Sequence, residues 1–593
     1  MPNQHKYNAG IIGNGSLIAH INTLAEVSWL CWPNFDSSPI FGNLLDETCG
    51  SYKLIPHSKI TSTHQFYLEN TNILRTEITT ETGSFAVLDF APRYYESGKL
   101  RYSRNLYRKI IPMEGEVRIK ISVNPTYDYG KSKFKTNVFT DHISYETEDL
   151  KINLLANVSL NLIKMESYLH LNKSIYLGLF ETMPDRIPFE AFFESEYTKT
   201  KQYWQSWVKH CTIPNFAQKQ QIRSALCLKL HQFQDTGAII AASTTSLPEA
   251  PGSGRNWDYR FCWLRDGFYT LFALTNLGQF EELERYAQYI SNLTPESDGR
   301  FQPLYSIMGE SFLDEKILDL KGYLGNTPVR IGNLAYTHKQ NDAYGQVLLS
   351  LLPLYLDERI PEKNRFQNFN LIKNILDKIE LTMDEPDAGL WEFRNFSQKH
   401  CYTFLFHWVG AKAAKEIAKH LGENGLEKKA DELIGRAEVN IELCFDPELE
   451  CYTQAQGKKD LDASLLQLIT LGYLDPSSPR AKSHIKAIES SLKTENGFFY
   501  RYLHSDDFGK PETTFLVCTF WYIEALACMD RLDEATQLFE KVTESANHLG
   551  LFSEDIEAKS GNQWGNFPQT YSHVGLVNAA HRISQKKSKS LFW

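Results

Sequence analysis

The chain has 593 residues, 42% of them hydrophobic and 23% charged, a globular balance that excludes disorder and leaves room for several domains or a few large ones. Lys and Arg number 62 against 72 Asp and Glu, a formal charge of −10. With no basic tract, that balance argues against a nucleic-acid partner. The opening residues, MPNQHKYNAGIIGNGSLIAHIN, show no basic start followed by a long apolar stretch, so no signal peptide is expected. Up to about residue 195 the pattern is short and β-like. Runs at 73–80 and 84–90 flank Glu81-Thr82-Gly83, a hairpin signal, and 117–123 alternates apolar and polar residues. Shorter runs at 143–145, 150–155 and 174–180 continue it, which together predict an antiparallel β-sandwich. The stretch 189–210 reads as a helical connector.

From about residue 215 the apolar period becomes helical. Helices are expected at 216–233, 264–277, 279–293, 339–356, 364–383, 402–421, 426–442, 460–473, 479–493, 513–530, 532–547 and 568–584. The most apolar of these is broken by Glu524 and is too short for a bilayer, so no membrane partner is expected. Twelve helices suit a bundle, a solenoid or a closed ring of six pairs. Loops after the odd-numbered helices are mostly long and rich in aromatics, glycine and acids, which favours a ring with one functional end. The domains expected are 1–190, a β-sandwich, 191–214, a helical linker, and 215–593, a helical barrel. Ten scattered cysteines without a C-x-x-C pair fit buried thiols in a reducing, cytoplasmic compartment, and neither a metal nor another cofactor is expected.

Four long loops carry the candidate chemistry. The first, Pro251-Gly-Ser-Gly-Arg-Asn-Trp-Asp-Tyr-Arg-Phe-Cys-Trp-Leu-Arg-Asp266, packs arginines and aspartates among Trp257, Tyr259 and Trp263. Such a set offers bidentate donors and acceptors for vicinal hydroxyls and flat faces for sugar C–H groups, although a buried ion-pair network has the same composition. In the second loop Glu392 lies between Trp391 and Phe393, an apolar setting that favours the protonated carboxyl of a general acid; a surface glutamate paired to Arg394 is the alternative. In the third, Glu554 follows Leu551-Phe552-Ser553, in what reads equally as a solvated acidic helix end. The fourth holds Arg501 and Glu512, candidate sugar contacts or an ordinary salt bridge. Two carboxylates at one end of a helical ring are what glycoside hydrolysis asks for.

The strings Asn256-Trp-Asp-Tyr-Arg-Phe-Cys-Trp-Leu-Arg-Asp266, Pro386-Asp-Ala-Gly-Leu-Trp-Glu-Phe-Arg394, Leu551-Phe-Ser-Glu-Asp-Ile556 and Gly565-Asn-Phe-Pro-Gln569 resemble glycoside hydrolase family 15, which holds glucoamylases, glucodextranases and bacterial trehalases. Ile12-Gly-Asn-Gly-Ser-Leu-Ile18 and Val27-Ser-Trp-Leu-Cys-Trp-Pro-Asn-Phe-Asp36 resemble its trehalase-like β-domain. The resemblance implies a β-sandwich before an (α/α)6 barrel, and exo-acting, inverting cleavage of an α-glucosidic bond that releases β-glucose. It implies Glu392 as general acid and Glu554 as general base, with Arg265 and Asp266 gripping the terminal glucose. Trp263 would lie near that subsite, Trp391 would flank the acid, and Arg501 and Glu512 would match sugar contacts more loosely. Arg330-Ile-Gly-Asn333 also resembles a family string, of unassigned role. The chain departs where many relatives carry Tyr-Ser-Lys/Arg: it reads Tyr402-Thr403-Phe404-Leu405, which puts the leaving-sugar site in question. A glucoamylase-like hydrolase is the leading expectation. A trehalase, an isomalto-oligosaccharide or dextran glucohydrolase, a phosphorylase and a catalytically silent sugar-binding protein are the rivals.

Overall fold

The computed structural model describes residues 4–184, 188–293, 299–360 and 368–587. The N-terminal part is an antiparallel sandwich of a seven-stranded and an eight-stranded sheet. In the larger sheet Leu74–Thr80 pairs with Gly83–Phe90, Thr79 opposite Ser84, so Glu81-Thr82 forms the expected hairpin turn. Along Leu74–Thr80 every second residue is buried, and Ile78, Phe85, Val87 and Ile110 face the core with Ile119 and Ile121 of the smaller sheet. The strands Ala9–Gly13, Ile18–Asn22 and Val27–Cys31 do not alternate, because they are buried almost throughout. Barrel loops cover one face: Ser243 takes a hydrogen bond from the Trp29 indole at 2.8 Å and another with His20 Nε2 at 2.8 Å. A linker helix, Phe189–Lys209, follows, with Phe193, Trp204 and Val208 buried.

Twelve helical segments then form an (α/α)6 barrel. The outer helices are α1 (Gln218–Leu230), α3 (Phe280–Asn292), α5 (Phe369–Thr382), α7 (Asn424–Glu442), α9 (Pro479–Leu492) and α11 (Leu532–Glu544). The inner ones are α2 (Leu264–Asn276), α4 (Asp342–Leu356), α6 (Cys401–Leu421), α8 (a 3-10 turn Ala463–Leu466 running into Gln467–Thr470), α10 (Leu516–Cys528) and α12 (Thr570–Lys587). Each inner helix touches the next, and α12 closes on α2. Outer helices bury one stripe, such as Leu283, Tyr286, Ala287 and Ile290 of α3, whereas α10 is buried on all sides. Inner helices α4 and α6 cross at Gly345 and Gly410; a Cβ on Gly410 would lie 2.4 Å from Gly345 Cα. The expected 460–473 helix is shorter because Asp462 caps its first turn and Gly472 adopts φ +77 at its end. The start of the expected 364–383 helix, 364–367, lies outside the described residues. Connections from inner to outer helices include the short 277–279, 422–423 and 529–531, while all four motif loops run from an outer to an inner helix and meet at one end. Among the described residues no helix is long and apolar enough to cross a membrane.

Candidate active site

The loops line a cavity of about 100 Å³ that opens to solvent. Trp263, Arg265, Asp266, Trp391, Glu392, Arg501 and Glu554 all line it, drawn from four segments distant in sequence. Glu512 does not: it is exposed and outside the lining. Phe404 is also outside it, buried in the first turns of α6 with Tyr402, Thr403 and Leu405, so the departure from the family pattern alters the barrel core rather than the cavity wall.

Glu392 occupies a tight turn with φ +61, a left-handed conformation that a glutamate adopts only where the surroundings impose it. That turn sends its neighbours elsewhere. Trp391 donates its indole N–H to Asp462 Oδ2 at 2.9 Å, and Phe393 stacks on Phe396 at 4.4 Å. The carboxyl is therefore not wrapped by its flanking rings, as the sequence suggests, but is met by polar donors. Its Oε1 accepts from Trp263 Nε1 at 2.6 Å, Arg265 Nη2 at 3.1 Å and Gln340 Nε2 at 3.2 Å. Three donors on Oε1 leave Oε2 as the oxygen able to carry a proton. Trp263 is only 2% exposed and acts here as a donor to Glu392 rather than as an open stacking face.

The Arg265 guanidinium is held on all its nitrogens: Nε to the Tyr571 hydroxyl at 3.0 Å, Nη1 to Gln340 Oε1 at 2.5 Å, and Nη2 to Glu392. Gln340, 4% exposed, thus bridges the arginine and the acid, a link that no local sequence signal announces. Asp266 sits beside them at the start of α2, its carboxyl pushed up to about 7 by burial.

Glu554 is 1% exposed. Its Oε1 accepts the Tyr259 hydroxyl at 2.7 Å, and its Oε2 has no partner among the described residues. The carboxyl rests on Gly565 (φ +79), where a Cβ would lie 2.7 Å from Oε2; only glycine permits that seat. Burial raises the Glu554 carboxyl above the ordinary glutamate range, and the Glu249 carboxylate raises it further, against Tyr259 and Arg501. Tyr259 and Trp263 pack edge to face at 5.5 Å, so one aromatic pair links the supports of the two glutamates. Arg501 Nη2 meets Glu249 Oε2 at 2.5 Å, and Glu249 Oε1 accepts the Trp257 indole at 2.9 Å. Arg330 and Arg394 each lie 4.6 Å from the Trp257 ring, and Arg330 also binds the carbonyls of Gly254 and Asn256, which shapes the first loop. Glu249 and Gln340 are among the site residues that sequence reading misses.

Residues 216–581 match the family model described as Glycosyl hydrolases family 15, and residues 7–164 match Trehalase-like, N-terminal. A protein named trehalase from Thermoplasma volcanium is 32% identical, over 97% of this chain and 93% of its own length. The trehalase of Thermoplasma acidophilum is 32% identical over 94% and 97%, and that of Mycobacterium tuberculosis 30% over 96% and 88%. Among solved structures, a bacterial glucoamylase complexed with acarbose has a TM-score of 0.67 over 99% of this chain and 95% of its own, at 14% identity, a likeness of fold.

Proposed function

We propose that this chain, which belongs to glycosyl hydrolase family 15 and is a glycoside hydrolase, cleaves α,α-trehalose with inversion at one anomeric carbon. The leading expectation from sequence, a glucoamylase-like α-glucan hydrolase, gives way to its first alternative. Relatives named trehalase align with nearly the whole chain, N-terminal region included, whereas the glucoamylase likeness carries fold alone.

The observation that carries the chemistry is the pair Glu392 and Glu554 in one cavity, each oriented by donors on Oε1. Glu392, protonated on Oε2, gives its proton to the glycosidic oxygen. Glu554, ionised, takes a proton from a water that attacks the anomeric carbon of the other glucose from the opposite face. The bond between that carbon and the bridging oxygen breaks, and the new C–O bond forms with inverted configuration. One glucose leaves as β, and the other keeps its α configuration. Glu392 then regains a proton and Glu554 loses one to solvent. Arg265 holds Glu392 in place while Asp266, Arg501 and Trp391 contact the sugar. The base must be ionised, and its carboxyl is raised, so the acid limb of kcat/KM lies above the ordinary glutamate range.

Glucose release from trehalose, maltotriose and isomaltotriose, at matched concentrations with and without phosphate, tests the reading. Trehalose turnover with little from the other two is expected. Preference for maltotriose restores the glucoamylase reading, and activity only with phosphate restores a phosphorylase.

A further inference from the structure

Glu249 stands outside every motif from which the site is read, yet it lines the cavity and is 4% exposed. Both its carboxylate oxygens accept from N–H donors, one the Arg501 guanidinium and the other the Trp257 indole. Its backbone is fixed as well: the N–H donates to Arg255 O at 3.1 Å, and the carbonyl accepts from Thr513 Oγ1 at 3.0 Å. The preceding Pro248 carbonyl accepts the Gly565 N–H at 2.7 Å, and Gly565 is the surface on which Glu554 rests. One short segment thus ties together the seat of Glu554, an arginine and a tryptophan of the cavity wall.

The charged and titratable groups around Glu554 are Tyr259, Glu249 and Arg501 from neighbouring loops, Asp555 next to it in the chain, and Tyr7 from the sandwich; Arg255 acts on Asp555, and Glu392 acts on Tyr259. Of the charges, Glu249 acts on Glu554 most strongly, and its sign matches that of the base.

We propose that Glu249 is a positioning residue: it places a negative charge in the same cavity as Glu554 and holds Arg501 and Trp257 at the cavity wall. It thereby sets the proton affinity of the base and the grip on the sugar together. The role rests on the assignment of Glu554 as base. A carboxylate beside a general base strengthens it as a proton acceptor and raises the pH at which it must be ionised.

The test compares the pH dependence of kcat/KM, and KM itself, in the wild type, Glu249→Gln, Glu249→Asp and Glu554→Gln, on the sugar the wild type cleaves. Glu249→Gln is expected to move the acid limb to lower pH by about one unit, the low end for an adjacent charge, and to raise KM. Glu249→Asp keeps the charge, so its limb stays and only KM rises. An unmoved limb in Glu249→Gln with Glu554→Gln inactive overturns the role while sparing the base. A fully active Glu554→Gln overturns both. If Glu249→Gln does not fold, Glu249→Asp decides alone: a retained limb with raised KM supports the role, and a limb displaced to lower pH contradicts it.

Discussion

Glu392 and Glu554 differ in how they are held, and the difference predicts how their variants behave. Each is oriented through Oε1, by three N–H donors in one case and by a tyrosine hydroxyl in the other. Glu392→Gln and Glu554→Gln are each expected to lose roughly 10²–10⁴-fold in kcat, since each removes one arm of acid–base catalysis. Wild-type turnover in either, measured as initial rates, contradicts its role. Tyr259→Phe is subtler. The hydroxyl stabilises the ionised Glu554, so its loss raises that carboxyl further and shifts the acid limb of the pH profile upward. A limb that moves down, or not at all, argues against the bond. The motif residues were legible at this scale because dense clusters of Trp, Arg and acids are rare in sequence. Gln340 and Glu249 were not, because each acts across loops that only folding brings together. Glu512 misled because an acid near Arg501 in sequence need not share its side of the chain.

At the scale of elements, two glycines hold the geometry. Gly565→Ala imposes a Cβ 2.7 Å from Glu554 Oε2 at φ +79, so it should cost activity well before it costs fold; kcat together with a circular-dichroism melt separates the two. Gly410→Ala, by contrast, drives a methyl to 2.4 Å from Gly345 Cα between α4 and α6. Overpacking of that kind costs about 1–3 kcal/mol, which denaturant unfolding would show as a lower midpoint. An unchanged midpoint means that the crossing relaxes freely. Helices were readable wherever one stripe is apolar, as in α3. The sequence pattern overextended α8, where the Asp462 cap and Gly472 stop it, and left the first strands unread because burial on both faces removes the alternation that marks a strand.

Over the whole molecule, the sandwich is the backing of the site. Tyr7 donates to the Gly565 carbonyl at 2.8 Å, directly behind the seat of Glu554. Arg260, in the first motif loop, pairs with Asp258 at 2.7 Å and reaches across to Ser37 O at 2.7 Å and the Tyr129 hydroxyl at 2.8 Å. Arg260→Ala leaves Asp258 buried without its partner, a change worth about 3–5 kcal/mol, and should lower Tm and activity together. A stable variant with full activity would show that the two domains do not depend on each other through this loop. The two-domain architecture was legible from the switch of apolar period to helical near residue 215, but the dependence of the site on the sandwich was not, since it rests on contacts between residues hundreds of positions apart.

The most direct measurement is early-time proton NMR of trehalose hydrolysis, read before mutarotation mixes the anomers. Inversion by Glu392 and Glu554 predicts β- and α-glucose appearing in equal amounts from the first points, one from each half of the disaccharide. α-Glucose alone would mean retention and would contradict the inverting account. Trehalose left intact while maltotriose yields β-glucose would keep the mechanism and overturn the substrate.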